Sequence, residues 1–159
     1  MKQNKIIYLL VAVFITLILT GCEDKEIKGL KLVNCTRKAE SMNNAEAVLQ
    51  YKIYHDGTYI KKTISTEKIV STNRSILKEY KTAYENVFKS YKDIEYYNNN
   101  ITTTSDSVTS TTTINYDKVD YKKILEIEGE DGNIFTNDGK VKLKTLIDMY
   151  KKYGATCDN

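Results

Sequence analysis

The chain contains no proline, no tryptophan and only one histidine, His55, among its 159 residues. A single histidine excludes the usual transition-metal sites unless cysteines supply the remaining ligands. His55 precedes an Asp-Gly turn signal at 56–57, where we expect it to be exposed, so it is a poor general base. The chain also lacks a phosphate-binding glycine loop and a Gly-x-Ser-x-Gly sequence. The sequence therefore predicts no catalytic residues and no cofactor, metal or otherwise.

Basic residues are not concentrated in any one region of the predicted domain. The sequence has 24 Lys and Arg residues against 21 Asp and Glu, a formal net charge of +3. Lys2 and Lys5 belong to an N-terminal segment discussed below, and without them the net charge is +1. Nucleic-acid binding requires a concentrated basic face, whereas these lysines occur as scattered pairs. We therefore expect a solvated surface of mixed charge and no nucleic-acid partner.

The first 22 residues have the pattern of an exported precursor. A basic start precedes an uncharged, mainly apolar segment of 14 residues, Ile6–Leu19. This length is typical of a signal peptide and is short for a transmembrane helix, which needs roughly 20 residues. Positions 19–22 read Leu-Thr-Gly-Cys and resemble the lipobox of bacterial lipoprotein precursors. The alternative is a chance cysteine at the end of a plain signal peptide or anchor.

The lipobox resemblance implies cleavage before Cys22 and attachment of diacylglycerol to its thiol. Two acyl chains hold a protein on a membrane essentially permanently, because each buried methylene contributes about 0.8 kcal/mol. The sequence thus predicts a signal peptide at 1–21, a lipidated tether at 22–30 and one domain at 31–159. The expected location is the extracytoplasmic face of the cell membrane. The Lys-, Asn- and Ile-rich composition favours a low-G+C Gram-positive source.

Cys35 and Cys157 remain for the folded domain, one near each end. Disulfides persist outside the cytoplasmic membrane, and two remaining thiols there most simply pair with each other. The closed loop would span 122 residues. The chain-entropy model assigns such a loop roughly 5 kcal/mol of stabilisation. Two free buried thiols are the alternative.

Apolar periodicity in the first half of the domain predicts β-strands. Candidate strands cover 31–37, 46–54 and 59–70, and a polar loop is predicted over 38–45. The Asp-Gly dipeptide at 56–57 indicates a hairpin turn, because glycine tolerates positive φ.

The second half adds helices. A 3.6-residue period predicts a helix over 75–92, and a second hairpin is predicted from 95–104 and 107–116. A short helix capped by Asp117 and a final amphipathic helix over 141–153 follow. The predicted fold is α+β: an antiparallel β-sheet built from hairpins, with a long central helix and a C-terminal helix packed on one face.

The chain resembles small uncharacterised bacterial lipoproteins of the YehR-like group, a domain of unknown function, in its Firmicutes form. The resemblance is carried by the lipobox and the central helix together with four short segments: Cys35-Thr36, Tyr51–Tyr54, Ile114–Asp120 and Tyr153–Cys157. It covers nearly all of the chain after the predicted signal peptide. The resemblance implies a compact α+β domain on a lipid anchor, and it implies no catalytic or ligand-binding residues.

The densest acidic patch consists of Glu126, Glu128, Glu130 and Asp131, within a predicted loop over 126–139. Calcium prefers oxygen ligands in a flexible loop, but this spacing does not match an EF-hand. We expect a solvated acidic loop, with a weak Ca²⁺ site as the alternative.

Tyrosine is the abundant aromatic residue, with 13 in the full chain. Several lie on apolar helix faces and are predicted to pack in the core with their hydroxyls at its rim: Tyr84, Tyr91, Tyr150 and Tyr153. The pair Tyr96-Tyr97 is instead the expected exposed contributor to a glycan- or peptide-binding surface.

Three functions remain open from the sequence. The first is a non-catalytic, lipid-anchored domain that binds or supports a protein partner in the cell envelope. The second is a lipid-anchored carrier of a solute or glycan, which needs a closed apolar pocket. The third is a hydrolase that uses carboxylates such as Glu128 or Glu130. The sequence predicts the membrane as a partner through Cys22 and leaves the oligomeric state open.

Overall fold

A computed structural model describes residues 27–40, 45–129 and 133–158. Six strands and three α-helices are present in these residues. The strands are β1 (Lys31–Glu40), β2 (Glu46–His55), β3 (Ile60–Val70), β4 (Tyr97–Thr103), β5 (Ser107–Asn115) and β6 (Thr156–Cys157). The helices are α1 (Arg74–Phe88), α2 (Tyr121–Glu128) and α3 (Leu143–Lys152), and a 3₁₀ turn at Lys89–Tyr91 follows α1.

The strands form one antiparallel sheet in the order β4-β5-β3-β2-β1-β6. Side chains alternate between the two faces along each strand, so the cross-strand register fixes which residues share a face. One face is covered by all three helices, as its apolar contacts with them show. The opposite face carries polar rows such as Thr36, Gln50, Thr66 and Thr111. The predicted α+β fold is confirmed.

The hairpin between β2 and β3 turns at the predicted Asp-Gly dipeptide. A carboxylate oxygen of Asp56 accepts hydrogen bonds from the backbone N–H groups of Thr58 at 2.9 Å and Tyr59 at 2.8 Å. Gly57 has φ +110°, a conformation that L residues with a Cβ rarely adopt. These backbone hydrogen bonds lower the pKa of Asp56 to about 2.

β1 is longer than the sequence predicts. Residues 38–40, expected in a loop, pair with β2 through Lys38↔Val48, Ala39↔Ala47 and Glu40↔Glu46. The ladder hydrogen bonds of an already formed hairpin outweigh the polar composition of this segment, because strand preference depends on context.

The N-cap residue of the short helix α2 also differs from the prediction. Asp117 was the predicted cap, but the helix begins after Asp120, whose side chain accepts a hydrogen bond from the Lys122 N–H at 3.2 Å. Asp117 lies in the preceding turn and accepts from the ammonium group of Lys61 at 2.9 Å. The helix also continues through residue 128, so the predicted loop over 126–139 begins too early.

A disulfide joins Cys35 to Cys157 with an S–S distance of 2.03 Å, which confirms the predicted pairing. The two cysteines are opposite each other in the β1–β6 ladder. Asp158 reinforces the junction: its carboxylate accepts from the backbone and side-chain N–H groups of Asn34 at 2.6 and 2.9 Å. The C-terminal segment is therefore fixed to the first strand. No helix within the described residues is long and apolar enough to cross a bilayer.

Candidate functional site

Two apolar clusters lie on the covered face of the sheet. The α3 cluster is centred on buried residues from both ends of the domain: Val33, Cys35, Ile53, Ile60, Val141, Leu146 and Ala155. The α1 cluster is centred on Ala45, Ala47, Ile69, Ile76, Leu77, Tyr84 and Val108. The α1 cluster includes the row of Ala47 and Ile69, and the α3 cluster includes the row of Val33 and Ile53. The two intervening rows carry several polar side chains beside Leu49 and Cys35, which pack in the α1 and α3 clusters respectively.

We call these intervening residues the central polar cluster. The register places Arg37, Leu49, Glu67 and Ser110 in one row across four strands. The next row toward α3 contains Cys35, Tyr51, Ser65 and Thr112. The members of the central polar cluster used below are Arg37, Tyr51, Ser65, Glu67, Tyr84 and Tyr150.

Tyr84 of α1 brings its hydroxyl group to Glu67 of β3. Tyr84 is only 8% exposed, and its buried hydroxyl lies against the Glu67 carboxylate. Burial and the charge of Glu67 raise the pKa of Tyr84 above its ordinary value. Burial also raises the pKa of Glu67, which Tyr84 and the charge of Arg37 partly offset. The carboxylate and the hydroxyl thus act on each other without making a well-formed bond.

Tyr150 of α3 closes the other side of the central polar cluster. Its ring stacks on Tyr51 of β2, with ring centroids 4.0 Å apart and an interplanar angle of 21°. Burial raises the pKa of both phenols, and the Ser65 hydroxyl partly counteracts the effect at Tyr150. Tyrosines from two helices and one strand therefore flank the half-buried carboxylate of Glu67.

A second candidate surface is the Tyr96 loop, residues 92–98, which runs from the 3₁₀ turn into the first residues of β4. Tyr96 has φ +64°, which is unusual for a bulky residue, and it is 42% exposed. Its carbonyl accepts a hydrogen bond from the Asn115 N–H at 3.0 Å. The ammonium group of Lys118 lies 5.2 Å from the centroid of its ring. The loop thus holds an aromatic ring outward beside a positive charge.

Tyr97 points the other way and anchors the loop. Its ring stacks on Tyr91 with centroids 4.6 Å apart, and the Tyr91 hydroxyl donates to Glu128 at 3.2 Å. Burial and Glu128 raise the pKa of Tyr91 to about 12. Buried Ile94 fixes the turn, because its N–H donates to the Tyr91 carbonyl at 3.0 Å. Of the predicted exposed pair, only Tyr96 is well exposed.

Open surface depressions adjoin this loop. One of about 450 Å³ is lined by residues 92–98. A neighbouring one of about 380 Å³ lies between α1 and β4 and is lined in part by Phe88, Tyr91 and Tyr97. The loop therefore offers an exposed ring and adjacent concave surface to a partner.

The predicted exposure of His55 is wrong. His55 is 6% exposed at the end of β2, and its Nδ1 accepts a hydrogen bond from the Gly57 N–H at 3.0 Å. Burial and the charge of Lys31 lower its pKa, while Asp56 opposes them. The turn folds back over the imidazole, so His55 is a structural residue of the hairpin.

The predicted acidic patch divides between two settings. Glu126 and Glu128 are exposed on α2, whereas Glu130 and Asp131 lie outside the described residues, as does Cys22. Within residues 27–40, 45–129 and 133–158, no group of three His, Cys, Asp or Glu side chains is placed to hold a metal ion.

Sequence reasoning missed Glu67 and Tyr84 as a pair. The signal that could have found them is parity: Glu67 shares a strand face with Ile69, so it places a carboxylate on the apolar side. Ile64 obscured this signal, because it puts an apolar residue on the opposite face of the same strand.

Comparisons with known proteins bear on the fold. No family model matches the chain, and no curated protein matches it. The solution structure of the E. coli YehR protein is 21% identical with a TM-score of 0.54, covering 81% of this chain and 92% of that chain. The fold is YehR-like. A Streptococcus pneumoniae TIGR4 protein is 13% identical with a TM-score of 0.54, covering 86% of this chain and 89% of that one.

At these identities the likeness establishes the fold alone. It confirms the structural part of the YehR-like resemblance. The lipoprotein character and the Firmicutes source stay predictions from the sequence.

Proposed function

We propose that the protein is a lipid-anchored, extracytoplasmic binding domain that contacts a protein partner in the cell envelope through the Tyr96 loop. The observation that carries this proposal is the exposed ring of Tyr96 on a backbone at φ +64°. Strained conformations cost about 1–3 kcal/mol and cluster at functional sites. A tyrosine held outward in this way supplies the rigid aromatic contact that interfaces favour.

The anchor would place this loop close to the membrane. From Cys22 to Ile27, where the described chain begins, five residues span at most about 18 Å. A cross-strand row joins the start of β4, at Tyr97, to Val33 near the start of β1. Both strands therefore begin at the same end of the sheet, separated laterally by about 19 Å at ordinary strand spacing. A membrane-associated partner fits this arrangement.

Photocrosslinking in cells tests the proposal. A photoreactive phenylalanine analogue would replace Tyr96 in the anchored protein, and the matched control would carry it at Tyr153, a 60% exposed tyrosine after α3. We expect one discrete partner from position 96, none from position 153, and loss of the partner in a Cys22→Ser background. Equal capture from both positions, or no capture from position 96, would contradict the proposal.

A carrier that encloses an apolar solute receives less support. Such a site is a concave, mostly apolar cavity. The depressions beside the Tyr96 loop are open, as is one of about 420 Å³ that Thr58 and Leu143 help to line. Between the two apolar clusters, the covered face carries charged and hydroxyl groups rather than an apolar lining.

A further inference from the structure

β4 is an edge strand whose outer side is open. It lies at one end of the strand order, and none of the described residues pairs with the side that faces away from β5. Its seven residues include no proline and no charged side chain, and its register with β5 is regular. Proteins commonly protect an edge with charge, proline or a bulge, because an open edge pairs readily with another strand. The β4 edge is therefore available to a strand from a partner.

The hydrogen bonds at the two ends of β4 show which main-chain groups point outward. The Asn115 N–H donates to the Tyr96 carbonyl at 3.0 Å. The Thr104 N–H donates to the Ser107 carbonyl at 2.8 Å. Because bonded and non-bonded pairs alternate in an antiparallel ladder, the even-numbered residues of β4 bond to β5. The N–H and C=O groups of the intervening residues therefore point away from β5: Asn99, Ile101 and Thr103.

Open depressions adjoin this edge on the covered face of the sheet. The one of about 380 Å³ is lined by Asn99 and Ile101 of β4 and by the rings of Phe88 and Tyr91. Another, of about 340 Å³, lies between α1 and residues 103–105 at the end of β4. A strand added to β4 would direct alternate side chains onto this face. It would find both main-chain hydrogen-bond partners and room for its side chains.

The depression at the end of β4 is basic. Three residues of α1 that share a helix face help to line it: Arg74, Lys78 and Lys81. Lys81 pairs with Glu85 at 3.1 Å, whereas Arg74 and Lys78 make no ion pair with a described residue. The adjoining turn contributes one carboxylate, Asp106, so one positive charge remains in excess. An acidic side chain suits this end of the edge, and an apolar one suits the rings at the other.

We propose that β4 binds an extended segment of a protein partner as an added antiparallel strand, with an acidic residue opposite Thr103 and an apolar residue opposite Asn99. The neighbouring strands all pair antiparallel, and this form is the more stable one. In this mode main-chain hydrogen bonds supply affinity and pockets supply specificity. The β4 strand of a second copy has no acidic residue to offer. The inference rests on the proposed function, since it names the segment that the partner supplies.

Peptide binding to the full protein in detergent micelles tests the proposal. The probe is a fluorescent, end-blocked peptide, Thr-Glu-Thr-Val-Thr-Leu-Thr, whose glutamate would face Thr103 and whose leucine would face Asn99. The reversed sequence, Thr-Leu-Thr-Val-Thr-Glu-Thr, has the same composition and is the matched control. We expect saturable binding of the first by fluorescence anisotropy and at least fivefold weaker binding of the second. Equal affinities would overturn the proposal.

Methylation of single peptide nitrogens tests the mode of binding. The N–H of the central valine would donate to the Ile101 carbonyl, whereas the N–H of the following threonine would point away from β4. N-methylation of the valine should therefore weaken binding at least tenfold, and N-methylation of that threonine should change it less than threefold. Equal losses from the two methylations would overturn the proposal.

Charge reversal on α1 tests the acidic end of the segment. Arg74→Glu combined with Lys78→Glu should weaken binding of the glutamate peptide at least fivefold and strengthen binding of a peptide with lysine in its place. Both side chains are exposed, so the fold should be retained. Lys122→Glu combined with Lys123→Glu, exposed on α2, is the matched control and should bind normally. Unchanged binding by the α1 variant would overturn the proposal.

Self-association and partner capture distinguish the remaining outcomes. Sedimentation should show a monomer without peptide, and a dimer that the peptide dissociates would make a second copy the occupant and overturn the proposal. Photocrosslinked capture from position 96 with equal binding of both methylated peptides would overturn this inference alone and support the proposed function. Discrimination between those peptides without capture from position 96 would contradict the proposed function and support the strand-binding edge.

Discussion

The α3 cluster and the α1 cluster lie side by side on one sheet, yet they are built differently. The α3 cluster joins the two ends of the domain and contains the Cys35–Cys157 bond. The α1 cluster has no covalent link and includes Tyr84, whose buried hydroxyl faces the Glu67 carboxylate without a well-formed hydrogen bond. One cluster is therefore specialised for holding the chain ends together. The other ends at the central polar cluster, where Glu67 and Tyr84 place a carboxylate and a hydroxyl on the covered face of the sheet.

Removing the disulfide should produce the largest difference in stability between the α3 cluster and the α1 cluster. The double change Cys35→Ser and Cys157→Ser opens a loop of 122 residues, so the free energy of unfolding should fall by roughly 5 kcal/mol. Denaturant unfolding measures this loss, and hydrogen exchange locates it. Protection should decrease first around β6 and α3, while the amides of α1 stay protected. Equal loss in both regions would show that the clusters are one cooperative unit.

Truncating one core residue in each cluster sharpens the comparison. Leu146 and Ile69 are each 1% exposed, so Leu146→Ala and Ile69→Ala should each cost about 2–5 kcal/mol. Contacting groups are coupled, whereas distant ones are additive. The loss in the free energy of unfolding caused by reducing the disulfide should therefore add to the loss caused by Ile69→Ala. It should not add to the loss caused by Leu146→Ala. Denaturant unfolding of oxidised and reduced variants gives both sums, and the reverse pattern would contradict the proposed division.

Helix caps provide a smaller contrast. Asn73 caps α1 by accepting from the Ser75 N–H at 2.9 Å, whereas Lys142 precedes α3 without a side-chain cap. Asn73→Ala should lower the free energy of unfolding by about 1 kcal/mol. Lys142→Asn should raise it, since the extended backbone at this position suits a cap. Thermal unfolding of both variants measures the two effects, which should have opposite signs.

The smallest expected effect is a pH dependence at the α3 end of the sheet. Burial and Lys31 lower the pKa of His55 below its ordinary value of 6.5, so the unfolded chain binds the proton more readily. The contribution of neutral His55 is complete above pH 6.5 and is lost as the pH falls below it. Wild type should lose more stability than His55→Gln between pH 8 and pH 5, measured by urea unfolding. An identical loss in both would contradict the assignment.

Local sequence signals predicted much of the fold because they coincide with tertiary structure. The Asp-Gly turn set the register of β2 and β3, and the two cysteines at the ends of the domain had one simple pairing. The extension of β1 and the cap at Asp120 depended on contacts with other strands and turns, which periodicity does not contain. The predicted order of strands and helices was correct, while several boundaries moved.

The candidate sites were less predictable from the sequence than the fold was. Tyr96 and Tyr97 are neighbours with the same side chain, so the sequence does not tell the exposed ring from the anchoring one, whereas the structure gives Tyr96 a positive φ and places Tyr97 at the start of β4. The Asp-Gly turn signal predicts an exposed His55, whereas in the structure the Gly57 N–H of this turn donates a hydrogen bond to the imidazole. Glu67 and Tyr84 come from a strand and a helix whose packing brings them together. Burial of this kind is a property of the assembled sheet.

The proposed function depends on the lipid anchor, so the most direct test is the chemical state of Cys22. The protein would be extracted from the membranes of its own cells and digested, and its N-terminal peptide measured by mass spectrometry. The account predicts a chain that begins at Cys22 with diacylglycerol on the thiol, and complete loss of membrane association for Cys22→Ser. An unmodified Cys22, or a chain that retains residues 1–21, would contradict it.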